Sequence, residues 1–151
     1  MINTLTKNKY YPQLLVFLQF GLIALMLLFS QGFLSSTYGL VTFLLGATLG
    51  VWALRHNQRG NFHIQPKLKE NSKLITTGIY KYIRHPMYSS VIMMMLGVLI
   101  STPTMMEWIF FLLLIFVLVQ KARREEALWL VHDEAYVEYK KDTKLFLPYI
   151  L

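Results

Sequence analysis

Four apolar stretches, separated by polar segments, dominate the pattern of the chain. They cover residues 14–29, 38–54, 87–100 and 108–119. A helix needs about 20 residues to cross a hydrocarbon core of ~30 Å, and the first, second and fourth stretches reach that length with their flanks. The third has about 16 residues between two prolines, so it would span about 24 Å and require local thinning of the bilayer. We therefore predict an all-α integral membrane protein with four transmembrane helices.

Prolines and turn formers divide these helices into two hairpins within one domain. The predicted parts are a first hairpin at 10–56, a cytoplasmic loop at 57–85, a second hairpin at 86–130 and a cytoplasmic tail at 131–151. Pro86 is tolerated at the first position of a helix and keeps residue 85 out of the helical region, so we expect the third helix to run from Pro86 to Ser101. After the fourth stretch neither Gly nor Pro occurs before Pro148, and we expect the helix to continue without interruption through QKARREEALWLVHDEAYVEYKK.

Small and apolar side chains predict two packing contacts. Gly46 and Gly50 form a small-xxx-small spacing that lets two helices approach closely. The cytoplasmic loop is long and rich in turn formers, and Leu74, Ile75 and Ile79 give it apolar anchors. We expect the loop to pack against the membrane face.

The distribution of charge predicts the orientation. The chain has 15 Lys and Arg residues and a net charge of +7, yet the connectors at 30–37 and 101–107 contain no Lys or Arg. If all four stretches span, every basic residue lies on one side, which the positive-inside rule places in the cytoplasm. We expect both termini to be cytoplasmic, in the cell inner or plasma membrane. The positive charge then reflects this sorting and attraction to anionic lipid rather than binding of nucleic acid.

The residue types that are missing exclude other chemistry. The chain has no cysteine, so it forms no disulfide and has no thiol nucleophile. Its four histidines show no metal-ligand spacing, and we predict no metal site.

A first polar and aromatic cluster lies where the third stretch begins, at Arg84-His85-Pro86-x-Tyr88. The free amides and the positive dipole end of a helix start favour an anion, and Arg84 adds a forked cationic donor. His85 can donate or accept a hydrogen bond near neutral pH. Tyr and Arg also collect at membrane surfaces as anchors, so residue types alone leave a ligand pocket and an interfacial anchor equally supported.

A second cluster, Arg123-Arg124-Glu125-Glu126, follows the fourth stretch. Adjacent helical residues point about 100° apart, so one glutamate would face a cytoplasmic pocket while the other pairs with Lys121 or solvent. The alternative is a solvated charged turn. The tail beyond it, with its paired tyrosines and apolar end, is either a surface helix on the membrane or a lid over a pocket.

Together these segments resemble a known family. TTGIYKYIRHPMY, a helical hairpin, REEALWL, EAYVEYKK and a closing LFLPYI, with NFHIQP upstream, resemble the isoprenylcysteine carboxyl methyltransferase family and the related phospholipid amine methyltransferases. The resemblance covers roughly residues 60–151, and the first hairpin matches only as membrane helices. Two departures, Val131-His132-Asp133 in place of Phe-Gly and Ser90 in place of a common Gly, leave the closure of the tail and the identity of the acceptor open.

The resemblance implies a membrane enzyme that uses S-adenosylmethionine, bound at the cytoplasmic face by the loop and the C-terminal helix. It carries the cofactor-binding role over to Gly78, Tyr80, Arg84, His85, Pro86, Tyr88, Glu125 and Glu126. Arg84 and the helix start suit the carboxylate of this ligand, and a glutamate suits its ribose hydroxyls or ammonium group.

The resemblance also implies a lipophilic acceptor that enters sideways between helices, where the methionines at 93–95 are adaptable enough to line the path. Methyl transfer needs alignment of the reactants more than acid–base help. A carboxylate acceptor would be held by Arg123 or Arg124, whereas an amine acceptor would need a base such as Glu125, Glu126 or His85. We favour a carboxylate of the isoprenylcysteine type.

Three alternatives remain at the level of the sequence. The first is N-methylation of a phospholipid amine. The second is a non-catalytic four-helix membrane protein, such as a partner subunit or lipid-binding module, whose polar clusters are anchors only. The third is an enzyme like the sterol reductases, whose C-terminal half is distantly similar.

Overall fold

The computed structural model describes residues 10–57 and 73–147, and their regular elements are helices. They are α1 (Tyr11–Phe29), α2 (Thr37–His56), α3 (Pro86–Ser101), α4 (Met105–His132) and α5 (Ala135–Asp142), with 3-10 turns at Phe33–Ser35 and Gly78–Lys81. An isolated bridge joins Ile83 to Lys144. The all-α prediction is confirmed for this part of the chain.

Three of the helices are long and apolar enough to cross a membrane, namely α1, α2 and α4. Large apolar side chains on their outer surfaces are exposed, as Phe17 and Leu28 of α1 illustrate at 74% and 78% exposure. Outward-facing apolar surface of this extent is typical of helices in contact with lipid. The fourth apolar helix, α3, begins at Pro86 and ends at Ser101 as predicted, and its 16 residues are fewer than a full span requires.

Glycines bring α2 and α3 into close contact. A Cβ atom at Gly46 would lie 2.7 Å from the backbone nitrogen of Met94, and one at Gly50 would lie 2.5 Å from Oγ of Ser90. On the facing helix, a Cβ atom at Gly97 would lie 2.5 Å from the carbonyl oxygen of Gly39. Only a hydrogen fits at these distances, so the predicted small-residue face is confirmed, and α3 is its partner.

Apolar side chains join α1 to α4 in the larger core. Leu15, Leu22 and Met26 of α1 are buried with Leu114 and Leu118 of α4. The two helices of each predicted hairpin are thus not each other's main packing partners, since α2 packs chiefly on α3 and α1 on α4. This arrangement brings residues from all four long helices around one end of the bundle.

The predicted uninterrupted helix through the tail is wrong. Helix α4 ends at His132, and Asp133 is extended, with φ −145° and ψ 117°. Its Oδ1 atom accepts a hydrogen bond from the N–H of Ala135 at 2.9 Å. Because Asp side chains readily bond to the backbone two residues on, Asp133 ends one helix and starts the next without any Gly or Pro.

Part of the predicted cytoplasmic loop lies outside the described residues. This part includes NFHIQP, so its predicted contribution is not addressed, and the same holds for the last three residues of LFLPYI. Of the predicted apolar anchors, Ile79 is buried against Ala53 and Ile83. Leu74 and Ile75 lie at the wall of the cavity described below.

Candidate functional site

The segment before α3 is held in a bent, extended conformation. His85 has φ −124° and ψ 59°, outside the helical region, and Pro86 is the first residue of α3, as predicted. The carbonyl oxygen of His85 accepts hydrogen bonds from the N–H groups of Tyr88 and Ser89, at 3.0 and 3.1 Å. Since Pro86 has no N–H, the first turn of α3 offers a ligand fewer free donors than an ordinary helix start.

The C-terminal tail runs parallel to this segment and bonds to its backbone. The N–H groups of Arg84 and His85 donate to the carbonyl oxygens of Lys144 and Leu145, at 2.8 and 3.1 Å. Oγ of Ser89 donates to the carbonyl oxygen of Phe146 at 2.6 Å. Of the two arrangements considered for the tail, contact with the site is therefore the one observed.

Arg84 and Glu126 bind each other rather than facing open space. Nε of Arg84 lies 2.6 Å from Oε1 of Glu126, and both side chains are about nine-tenths buried. Nη1 of Arg84 also donates to the carbonyl oxygens of Lys140 and Thr143. Nζ of Lys140 lies 2.7 Å from the other oxygen of Glu126. The expected pairing of the second glutamate with Lys121 or solvent is replaced by this contact with Arg84 and the tail.

His85 lies between the two adjacent glutamates. Its Nδ1 is 3.4 Å from Oε2 of Glu125, and its Nε2 is 3.8 Å from Oε1 of Glu126. The glutamates therefore point in different directions, as predicted, yet reach opposite nitrogens of one ring. Burial opposes protonation of His85, but the two carboxylates outweigh it and raise the pKa of His85 above its usual value.

Tyrosines surround the same group of charges. The hydroxyl of Tyr88 donates to Oε1 of Glu125, and its ring stacks on that of His85 with centroids 5.5 Å apart. The hydroxyl of Tyr139 donates to the carbonyl oxygen of Tyr80 at 2.7 Å. Burial, with the charge of Glu125, raises the pKa of Tyr80 to about 12, and burial also raises the pKa values of Tyr136 and Tyr139. These hydroxyls therefore stay protonated near neutral pH.

A cavity of about 470 Å³ opens beside these residues. Its polar end is formed by Asn57, Lys73, Tyr80, Arg84, His85, Tyr88, Lys121, Glu125, Trp129, Tyr136 and Tyr139. Its apolar side is formed by Phe20, Ala47, Val51, Leu54, Leu74, Ile75, Met87, Val91 and Met94. Six of the eight predicted cofactor-binding residues line it: Tyr80, Arg84, His85, Pro86, Tyr88 and Glu125.

Gly78 and Glu126 do not line the cavity but hold residues that do. Gly78 has φ +61°, a left-handed conformation that suits glycine. A Cβ atom there would lie 2.2 Å from Cδ2 of the His56 ring. The glycine thus lets the turn that carries Tyr80 approach the end of α2.

The two arginines predicted to hold the acceptor, Arg123 and Arg124, do not line the cavity. Arg123 is exposed, and Arg124 is buried over the ring of Tyr11, 5.7 Å from its centroid. Helical geometry explains the difference, because Glu125 shares its face with residues four positions away. Those residues are Lys121 and Trp129, and both line the cavity.

Sequence reasoning therefore missed the cation that does reach the cavity. Lys121 is 2% exposed, and its Nζ donates to Oε1 of Gln19 at 2.5 Å. Nζ also lies 5.1 Å from the centroid of the Tyr88 ring. The spacing of four between Lys121 and Glu125 was the available signal. Gln19 carried a second one, as a lone polar residue inside an apolar helix.

Comparisons with known proteins agree with the resemblance. The profile of the phospholipid methyltransferase family matches residues 34–133. A protein-S-isoprenylcysteine O-methyltransferase of Xenopus laevis is 32% identical over 126 residues, which cover 76% of this chain and 41% of the relative. The chain thus spans about two-fifths of the length of that relative. No solved structure matches the chain.

Proposed function

The chain belongs to the phospholipid methyltransferase family, and from that premise we propose that it transfers a methyl group from S-adenosylmethionine to a lipophilic acceptor at the cytoplasmic face of a membrane. The observation that carries this proposal is the composition of the wall of this cavity. Charged and aromatic groups form one end, and apolar groups from α1, α2 and α3 form the side. A polar ligand and a lipid-like ligand can therefore meet in one space.

The polar end suits S-adenosylmethionine in charge and shape. The sulfonium and ammonium groups of this molecule favour a carboxylate, and Glu125 presents one that is 20% exposed. The stacked rings of Trp129 and Tyr136 offer flat surfaces of the kind that bind an adenine base. Nε2 of His85 is buried and makes no hydrogen bond among the described residues, with Oε1 of Glu126 3.8 Å away. A volume of about 470 Å³ lies within the usual range for such ligands.

We assign Tyr80, His85, Tyr88 and Glu125 to contact with the cofactor, and Pro86 to setting the start of α3. The other predicted residues act through these, because Gly78 places the turn of Tyr80 while Arg84 and Glu126 join the tail to the segment before α3. The tail in turn carries the cavity residues Tyr136 and Tyr139.

S-adenosylmethionine supplies an electrophilic methyl group on a positively charged sulfur. The residues of this chain have to bind the acceptor in line with that methyl group and exclude water. They are poorly arranged to remove a proton from an amine. Glu125 and Glu126 raise the pKa of His85, which favours its protonated form, and Glu126 is engaged by Arg84 and Lys140. A carboxylate acceptor needs no such base, which favours O-methylation.

A lipophilic acceptor has a direct path from the bilayer. Phe20 of α1 and Val51 and Leu54 of α2 line the cavity, and each is about half exposed. The apolar side of the cavity is therefore continuous with surface that faces lipid. Met94, within the predicted adaptable segment, forms part of the same wall.

We further propose that α3 crosses the membrane as a fourth span, with both termini in the cytoplasm. The connectors before α2 and before α4 meet at the end opposite to the cavity, where Oγ1 of Thr102 donates to the carbonyl oxygen of Gln31 at 2.8 Å. These connectors carry no Lys or Arg, whereas Arg55, Lys73 and Arg84 lie at the cavity end. Helix α3 is shorter than a full span. Its close contact with α2 at the glycines and the polar residues at its start compensate for the missing length.

Binding of S-adenosylmethionine to the purified protein in lipid nanodiscs, measured by calorimetry, tests the proposal. We expect saturable binding that weakens about tenfold or more in Glu125→Gln, because a hydrogen bond or contact to a charged group is lost. Glu138→Gln is the matched control, since Glu138 is exposed and pairs only with Lys141 in the described residues. Absence of binding to the wild-type protein, or equal binding by Glu125→Gln, would contradict the assignment.

The description of the matching family supports a second candidate, N-methylation of a phospholipid amine. Incubation with labelled S-adenosylmethionine and a total lipid extract, followed by identification of the labelled species, separates the two. A base-stable label on an amino headgroup would favour the second candidate. A label that mild alkali releases as methanol would identify a carboxyl methyl ester.

A further inference from the structure

A buried lysine and a buried glutamine meet inside the bundle, beside the residues assigned to the cofactor. Nζ of Lys121 on α4 lies 2.5 Å from Oε1 of Gln19 on α1. Lys121 is 2% exposed and Gln19 is 7% exposed, and both line the cavity. Polar and ionisable side chains within membrane helices are costly to bury, and they usually face a functional cavity.

The glutamine orients the lysine without neutralising it. An ammonium group has three donors, and the amide oxygen of Gln19 accepts one of them while contributing no charge. The ring of Tyr88 lies 5.1 Å away and favours a cation in that place. Glu125 lies one helical turn further along α4, on the same face as Lys121, and that carboxylate also accepts from Tyr88 and contacts His85. The geometry thus directs a positive charge at the cavity wall.

The depth of Lys121 places this charge where the polar end of the cavity adjoins its apolar side. Lys121 precedes Glu125 by one helical turn, so it lies about 6 Å deeper along α4, on the side of the apolar stretch. Gln19 and its neighbour Phe20 belong to the wall of α1, beside the path from the lipid. A lipophilic acceptor that entered with its reacting end towards Glu125 would bring that end to Lys121.

We propose that Lys121, oriented by Gln19, binds the anionic group at the reacting end of the lipophilic acceptor. This inference rests on the proposed function and names the chemistry of its acceptor site. The anionic group is the carboxylate of a prenylated cysteine or the phosphate of a phospholipid. In the first case an oxygen lone pair forms the new C–O bond, the electrons of the broken C–S bond remain on sulfur, and no proton is released. In the second case the phosphate is bound and the lone pair of the neighbouring unprotonated amine forms a C–N bond, the electrons of the C–S bond again remain on sulfur, and the product is a methylammonium group. A protonated amine at the same place would be repelled by Lys121.

The test measures methyl transfer and cofactor binding separately in Lys121→Met. Methionine has a similar length and no charge, and Lys121→Arg is the variant that restores the charge. The acceptors are N-acetyl-S-farnesylcysteine, its uncharged amide as a competitor, and vesicles of phosphatidylethanolamine. Lys141→Met, at an exposed lysine on α5, is the matched control.

We expect kcat/KM for the active acceptor to fall about tenfold to a thousandfold in Lys121→Met, because a buried charge pair loses one partner. Arginine should recover part of that loss, and the affinity for S-adenosylmethionine should change less than threefold. Competition by the amide should be weak in the wild-type protein and equal to that of the acid in Lys121→Met. Loss with farnesylcysteine identifies a carboxylate site, and loss with phosphatidylethanolamine identifies a phosphate site.

Two results would overturn the inference while leaving the proposed function intact. One is an unchanged kcat/KM for both acceptors in Lys121→Met. The other is a loss of S-adenosylmethionine affinity that accounts for the whole effect, which would move Lys121 to the cofactor site. If the wild-type protein does not bind S-adenosylmethionine, it is the proposed function that fails.

Discussion

Removal of the charge on Glu126 tests whether this residue stabilises the structure of the site or binds a ligand directly. In Glu126→Gln the shape is retained, but the contacts with Arg84 at 2.6 Å and Lys140 at 2.7 Å lose their charge. Breaking a buried ion pair by removing one partner costs about 3–5 kcal/mol. The Lys140 side chain is 40% exposed, so its share is at most about 1 kcal/mol.

The glutamine keeps one acceptor oxygen, and Arg84 keeps its bonds to the carbonyl oxygens of Lys140 and Thr143. The loss should therefore lie at the low end of that range, about 3 kcal/mol in the free energy of unfolding. Arg84→Met should cost a similar amount. Because the two side chains form one interaction, the double variant should show a coupling energy of about 2 kcal/mol.

Equilibrium unfolding in mixed micelles with increasing SDS gives these free energies, and Glu138→Gln provides a surface control without measurable change. The affinity for S-adenosylmethionine should fall in Glu126→Gln and be recovered by conditions that stabilise the fold. A coupling energy near zero would refute the reasoning. So would an unchanged free energy of unfolding together with lost affinity, since Glu126 would then bind ligand directly.

Three further predictions follow from named contacts. Gly97→Leu should destabilise the protein by about 3 kcal/mol or more, because the leucine side chain has no room beside the backbone of Gly39 and Phe43. Unfolding in SDS measures this change. A variant as stable as the wild-type protein would contradict the close contact of α2 and α3. Gly78→Ala should weaken S-adenosylmethionine binding through left-handed strain and the clash with His56, and Gly21→Ala, at a position with open space, is the control. The raised pKa of His85 means that its contacts with Glu125 and Glu126 stabilise the fold fully below about pH 6.5 and are lost as pH rises through the folded-state pKa. Unfolding measured from pH 6 to 9 should therefore show a loss of stability that His85→Gln lacks, and parallel profiles would contradict it.

The sequence predicted the features that local rules govern. Pro86 set the start of α3, Pro103 closely followed its end, and Gly46 and Gly50 marked the face that packs on α3. These outcomes depend on steric effects within a few residues of the chain, or on the absence of a side chain. The resemblance then selected eight site residues, of which six line the cavity.

What the sequence did not predict depends on contacts between distant segments. Nothing in the tail indicated that Lys144 and Leu145 would bond to the backbone of Arg84 and His85, because such pairing leaves no pattern within either segment. The sequence did not predict the ion pair of Arg84 for the same reason, since its partner Glu126 is 42 residues away. Charge alone points to Arg123 and Arg124, whereas the helical spacing of four selects Lys121 as the cation beside Glu125.

The site consists of two charged groups at the cavity wall, Glu125 and Lys121, and of the contacts between the tail and the segment before α3. The buried N–H groups of Arg84 and His85 require acceptors, and the tail supplies them, so the position of the tail fixes the backbone of His85. The ring of His85 then lies between Glu125 and Glu126. Glu126 binds Arg84, and Arg84 donates a hydrogen bond to the backbone of the tail. This closed set of contacts leaves Glu125 as the carboxylate at the cavity wall. One turn deeper, Lys121 provides the opposite charge, so the wall presents a carboxylate and an ammonium group at the positions for which we propose the sulfonium of the cofactor and the anionic group of the acceptor.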